Sequence, residues 1–210
     1  AADVLIRRQY LDFTNNAERR DALDDAGRST FEKLVSASLP APGKVADALG
    51  PAVADKHIMF TTFTDSQNEL FRRVDADGAF PRPAGQDLLA LRTQNKGNNK
   101  ADIFLKRKVE YRPTYNPATG TVEAKLRVTL TNESPSSGLP EAFLGSNDQG
   151  LPPGTNQMFL SVYSPLGLRK GAIDGLETGF ELQKELGWSV YSRYLTIPAG
   201  GTVVVDLDLF

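Results

Sequence analysis

Hydrophobic and polar positions follow two different periods along the chain, with the change near residue 100. In the first part Val4, Leu5, Leu11 and Tyr10 fall at helical spacing over residues 3–13. Asn15 followed by Glu18 has the acidic partner of a capping box, with Asn in place of Ser or Thr, and the helix it opens carries Leu23, Ala26, Phe31, Leu34 and Val35 down one side. Pro40 and Pro42 stop that helix, and a short helix is predicted around residues 45–49. Residues 57–63 (His-Ile-Met-Phe-Thr-Thr-Phe) read as a strand. Ser66-Gln67-Asn68-Glu69 is then a full capping box opening a helix with Leu70, Phe71 and Val74. Gly78, Pro81 and Pro83 end it, and residues 88–91 read as a short buried strand. Strand, helix, strand predicts a βαβ unit over 57–91 with parallel strands and a right-handed crossover.

After residue 102 the period is two. Ile103, Leu105, Val109 and Tyr111 alternate with Lys106, Lys108, Glu110 and Arg112; beyond an Asn-Pro-Ala-Thr-Gly turn, Val122, Ala124, Leu126, Val128 and Leu130 alternate with Glu123, Lys125, Arg127 and Thr129. A two-faced antiparallel hairpin is the physical reading of that pattern. Further strands are predicted at 157–163, 178–185, 188–197 and 202–209, the last two joined by Pro-Ala-Gly-Gly. Residues 131–156 hold four Pro and four Gly in 26 residues and show no period, so they are expected to form a long, functional or mobile loop. The expected fold class is therefore α+β: an incomplete α/β layer of helices plus a βαβ unit over 1–100, then an antiparallel immunoglobulin-like β-sandwich over 101–210. Two parallel strands cannot cover both faces of a sheet, so a portion preceding Ala1, a second subunit or a copy of the chain itself is expected to complete the first part.

Composition narrows the chemistry. The 210 residues carry 24 Lys+Arg against 26 Asp+Glu, one His and no Cys. Near-balanced charge exerts no global pull on nucleic acid, and none is expected as a partner. Without Cys there is no thiol nucleophile, disulfide, thiolate zinc site or iron–sulfur cluster. A Ser–His–Asp triad would have to use His57, and no G-x-S-x-G elbow, G-x-G-x-x-G or P-loop is present. No catalytic residue, metal or cofactor is assigned. No apolar run approaches the ~20 residues of a membrane span. The start at Ala1 reads as a processed end or the edge of a longer piece, and the avoidance of Cys fits a protein exported by a bacterium.

The candidate ligand-binding residues gather at the change of period. Asn95, Asn98, Asn99, Lys100 and Asp102 bracket Lys96 and Gly97; Asn and Asp bond nearby backbone and tolerate left-handed conformations, so the stretch is expected to clamp the two parts together, or to form a polar pocket for a sugar or phosphate. Between Lys96 and Arg112 stand six basic residues against two acidic, which the alternation places on a solvated strand face. Arg19, within Glu-Arg-Arg-Asp at a helix start, is the remaining candidate; its plain reading is a structural ion pair. Asp75-Ala-Asp77-Gly78 lacks a calcium ligand at Arg73 and reads as a turn. Asp206 and Asp208 share the solvated face of the last strand.

Several of these pieces in order, Asn-Asn-Lys-Ala-Asp-Ile-Phe from Asn98, Arg-Lys-Val-Glu-Tyr from Arg107, Val-Thr-Leu-Thr-Asn-Glu-Ser-Pro from Val128, Gly-Thr-Asn from Gly154 and Val-Tyr-Ser-Pro-Leu-Gly from Val162, resemble the C-terminal half of the bacterial domain-of-unknown-function family 4012. The resemblance runs from about residue 10 to the C-terminus. It implies an extracytoplasmic protein of the cell envelope or surface, with a membrane anchor outside this chain and an N-terminal half similar to the LytR-CpsA-Psr enzymes, which transfer polyprenyl-pyrophosphate-linked glycans to the cell wall. Arg19 matches one arginine of those enzymes, while the second of their Arg-x-x-Arg-Gln pattern falls on Ala22. The expected function is a non-catalytic module of an exported cell-envelope protein that positions or binds a cell-wall glycan or a partner subunit. The alternatives are a structural subunit of a surface assembly and a fragment of a glycan phosphotransferase using Arg19 and the 95–102 junction.

Overall fold

The computed structural model describes residues 9–13, 15–36, 38, 40–80, 87–97, 99–145 and 150–210. The chain divides into two compact units, Ala1–Pro81 and Arg82–Phe210. The division lies ahead of the boundary expected between residues 100 and 101, because the strand that follows it is hydrogen-bonded into the second unit.

The first unit is helical: α1 (Gln9–Asp12), α2 (Asn16–Ser36), α3 (Pro42–Ala54) and α4 (Asp65–Arg73). Asn15 caps α2 as expected, its Oδ1 accepting from the Glu18 N–H at 2.9 Å. The full capping box at Ser66 and Glu69 is not formed. α4 starts at Asp65, Glu69 pairs with Arg72 and Arg73 at 2.9 and 3.4 Å, and Asn68 turns back to the preceding segment. Its Oδ1 accepts from the Thr62 N–H at 2.8 Å and its amide donates to the Thr62 carbonyl at 2.9 Å.

Those bonds are one reason the expected βαβ unit is absent. The backbone groups of 57–63 that a parallel neighbour would have used are taken locally: the His57 and Ile58 N–H donate to the Ala52 carbonyl, and the Phe60 N–H to Ala76. The segment carries no strand, and His57 is an exposed residue just past α3. The second expected strand exists, displaced to β1 (Ala90–Asn95), but it pairs antiparallel with the strand Asn156–Ser164. Its alternation of half-buried Leu91, Thr93 and Asn95 with exposed Arg92 and Gln94 is that of a sheet with one covered face.

The second unit holds two antiparallel sheets. Its strands are β1, β2 (Leu105–Asn116), β3 (Thr121–Asn132), β4 (Asn156–Ser164), β5 (Leu168–Ile173), β6 (Leu176–Glu177), β7 (Glu181–Glu185), β8 (Trp188–Ile197) and β9 (Thr202–Leu209). The orders are β1-β4-β8-β7 and β2-β3-β9-β5-β6. Both sheets feed one core, with Leu126, Val128 and Leu130 of β3 and Val205, Leu207 and Leu209 of β9 from the larger, Met158, Leu160 and Val162 of β4 and Tyr191, Leu195 and Ile197 of β8 from the smaller. Each such side chain contributes about 1.5–3 kcal/mol on burial, which fixes the register. The long segment before β4 contains α5 (Glu141–Leu144), which buries Phe143 and Leu144.

The candidate junction and the faces of the strand unit

The junction residues are arranged by a chain of side-chain amides. Where β1 ends, the Asn95 Oδ1 accepts from the Gly97 N–H at 2.6 Å, turning the backbone, while its Nδ2 donates to the Asn99 carbonyl and Oδ1 at 3.2 and 3.3 Å. Asn99, buried, accepts the Ala101 N–H on Oδ1 at 3.0 Å, which opens the short 3-10 turn Ala101–Phe104, and donates to the Thr155 carbonyl at 3.4 Å. Asp102 accepts from the fully buried Asn156 amide at 2.8 Å. The Lys100 N–H donates to Ala142 in α5 and the Lys96 N–H to Gln157.

A second amide closes the same region from the other side. Asn132, fully buried at the end of β3, donates through Nδ2 to the carbonyls of Gly154, Ile197 and Pro198 at 2.8, 2.9 and 3.1 Å, and accepts the Ser134 N–H at 3.1 Å. Gly154 has φ +78°, and a Cβ there would overlap the Pro135 carbonyl, so the close approach of the two loops requires glycine.

The structure thus brings Asn95, Asn99 and, through Asn156, Asp102 into one polar network, with the exposed Lys100 at its rim. Asn98 lies outside the described residues. Arg19 stands in α2 of the other unit. These bonds tie residues 95–97 and 99–102 to 155–157 and to α5 inside the strand unit, whereas the expected clamp joined the two parts of the chain. The network's amides are engaged by backbone and by one another; among the described residues, the Asn156 Oδ1 and the Ser134 Oγ are buried with no hydrogen-bond partner.

The solvent face of the five-stranded sheet carries the charges, as the alternation predicts. Arg127 forks onto Asp206 at 2.7 and 3.1 Å, Lys125 reaches Asp208 at 3.0 Å, and Arg169 reaches Glu123 at 2.7 Å. The Arg169 hydrogen bond holds the Glu123 carboxyl below its ordinary range, and Asp206 raises Arg127. Two shallow depressions of about 310 Å³ each lie along these ladders. Because every one of these cations already faces a carboxylate, the face is a solvated cross-strand lattice. Asp75 bonds Lys56 at 2.6 Å and Asp77 accepts the Ala79 N–H, so that stretch is the turn it reads as.

The outward face of the four-stranded sheet differs. Register places Gln94, Phe159 and Tyr194 in one row across β1, β4 and β8, and Arg92, Ser161 and Ser192 in the next. Phe159 and Tyr194 meet with ring centres 4.6 Å apart and planes inclined by 47°. The Lys96 ammonium lies 5.0 Å from the centre of the Tyr194 ring. Tyr194 is 55% exposed. Sequence reasoning placed both strands but did not single out this pair; an aromatic at the same strand parity as Gln157 and Ser161 was the signal.

Among the described residues no three His, Cys, Asp or Glu side chains converge as metal ligands, and no helix is long and apolar enough to cross a membrane. No protein-family model, curated protein or solved structure matches the chain.

Proposed function

We propose that this chain is a non-catalytic module of an exported bacterial cell-envelope protein, in which the strand unit positions or binds a glycan or a partner subunit. The observation that supports the reading is the division of labour in the strand unit. The junction amides are committed to fixing loops, the charged face is self-paired, and one open face remains with aromatic and hydrogen-bonding side chains exposed on rigid strands. Binding sites are built that way when the frame, rather than a moving loop, sets the geometry. Two antiparallel sheets around one core are what the immunoglobulin-like reading of this unit rests on, and the envelope reading rests on the resemblance to family 4012.

The test is co-sedimentation of the whole chain with purified cell-wall sacculi from an actinobacterium, with and without their attached polysaccharides. Retention that disappears when the polysaccharides are stripped is the expected result. A chain that stays in the supernatant with both preparations overturns the glycan reading. The structural-subunit alternative is favoured by a separate observation, the exposure of Phe31, Leu34 and Val35, each 64%, along α2.

A further inference from the structure

We infer that the outward face of the four-stranded sheet, at Phe159 and Tyr194 flanked by Arg92, Gln94 and Lys96, is a binding platform for an acidic glycan chain. The inference rests on the proposed envelope function and names its ligand chemistry.

The patch is set by register. Three neighbouring strands span ~10 Å and successive outward residues on one strand lie ~7 Å apart, so the rows through Tyr194 and Ser161 together cover about two sugar rings. A pyranose offers an apolar C–H face and a rim of hydroxyls. Phe159 and Tyr194 supply the apolar surface at low conformational cost, since each has two side-chain torsions and they brace one another. Gln94 beside Phe159 supplies donors and acceptors at the rim, and the next row holds the Ser161 and Ser192 hydroxyls, bonded to each other at 2.9 Å.

The charge on this patch decides between neutral and acidic sugars. Arg92, Gln94 and Lys96 are all exposed, and both basic residues come from β1 and the residue after it. Unlike the lattice on the other sheet, they are not set opposite acids in the register: Arg92 faces Ser161 and Gln94 faces Phe159. Lys96 is held on the Tyr194 ring, and an ammonium in that position meets a carboxylate or sulfate carried by a ring stacked beside it. The acids of this sheet, Glu181 and Glu185, belong to β7, and the Glu185 carboxylate is taken up by the hydroxyl of Tyr163 on β4 at 2.6 Å.

The probe is a hyaluronan hexasaccharide, alternating N-acetylglucosamine and glucuronate, set against N-acetylchitohexaose, which lacks the carboxylates. Binding is read on the full chain by calorimetric titration and amide shifts. Hyaluronan binding is expected, with shifts on β1, β4 and β8, weakened about tenfold or more by Tyr194→Ala and about threefold by Lys96→Gln, at unchanged melting temperature. Absence of hyaluronan binding, or binding indifferent to Tyr194→Ala, overturns the platform; equal affinity for the neutral hexamer overturns its acidic specificity. Sacculus retention that survives Tyr194→Ala removes this site and leaves the envelope reading standing, whereas hyaluronan binding without sacculus retention does the reverse.

Discussion

Asn132 shows what a single buried amide does in this molecule. Its two amide protons serve three carbonyls from two separate loops, Gly154 on one side and Ile197 and Pro198 on the other, at a position with no exposure to water. Asn132→Ala removes the side-chain donor from all three, although the Pro198 carbonyl keeps the Gly201 N–H at 2.9 Å, and at about 1 kcal/mol per lost bond the expected loss is roughly 2 kcal/mol, measured as a lower urea midpoint. Asn132→Asp is the sharper variant: it keeps the shape but turns acceptor oxygens on acceptor carbonyls, so at neutral pH it is expected to destabilise more than Ala does. The converse holds at Ser134, whose hydroxyl is buried with no partner while its N–H is bonded to Asn132. Ser134→Ala is expected to leave stability unchanged or raise it by about 1 kcal/mol. Tyr111 adds a pH dependence. Burial, then the hydrogen bond to Asp87 and the charge of that carboxylate, raise its phenol well above the ordinary range. The folded state therefore holds its proton longer than the unfolded chain. That stabilisation is complete below pH ~10 and is lost as the pH climbs towards the folded value, so Tyr111→Phe is expected to flatten the alkaline limb of a stability profile.

Elements were legible where one face alone is covered. β3 alternates buried Ala124, Leu126, Val128 and Leu130 with exposed Glu123, Lys125 and Arg127, and the predicted 188–197 and 202–209 are β8 and β9. Leu126→Ala is accordingly expected to cost about 3 kcal/mol. Arg127→Ala, on an exposed bidentate pair, is expected to leave the stability almost unchanged; comparable losses for the two would mean the register is inverted. The polar character of the 95–102 stretch was legible, because Asn and Asp bond nearby backbone, yet its partners inside the strand unit were not. Thr155 and Asn156 lie more than fifty residues from Asn99, and no local pattern encodes such a separation. The βαβ expectation failed for a related reason. Apolar residues at 58–63 carry strand propensity, but Asn68 and the carbonyls of Ala52 and Ala76 answer their backbone locally, and propensity yields to such tertiary bonds. β5 escaped notice because Gly171 and the bulge between Leu168 and Lys170 break its alternation.

At the scale of the whole molecule the two units differ in what holds them. The strand unit has a continuous core from four strands. In the first unit Ala76 is the sole buried residue among those described, while Phe31, Leu34, Val35, Met59, Phe63 and Leu70 are all more than half exposed. Helices draw most of their stability from packing an apolar stripe, and α2 has its cap at Asn15 but no such packing. Amide hydrogen exchange on the intact chain is therefore expected to split by unit: β3, β4, β8 and β9 exchanging only through global unfolding, α2 and α4 through local opening at far lower free energy. Asn15→Ala should then speed exchange in the first turns of α2 by a factor corresponding to about 1 kcal/mol and leave the strands untouched. Exchange at Phe31, Leu34 and Val35 as slow as in β4, and slower still at higher protein concentration, would show instead that another copy covers the stripe in solution.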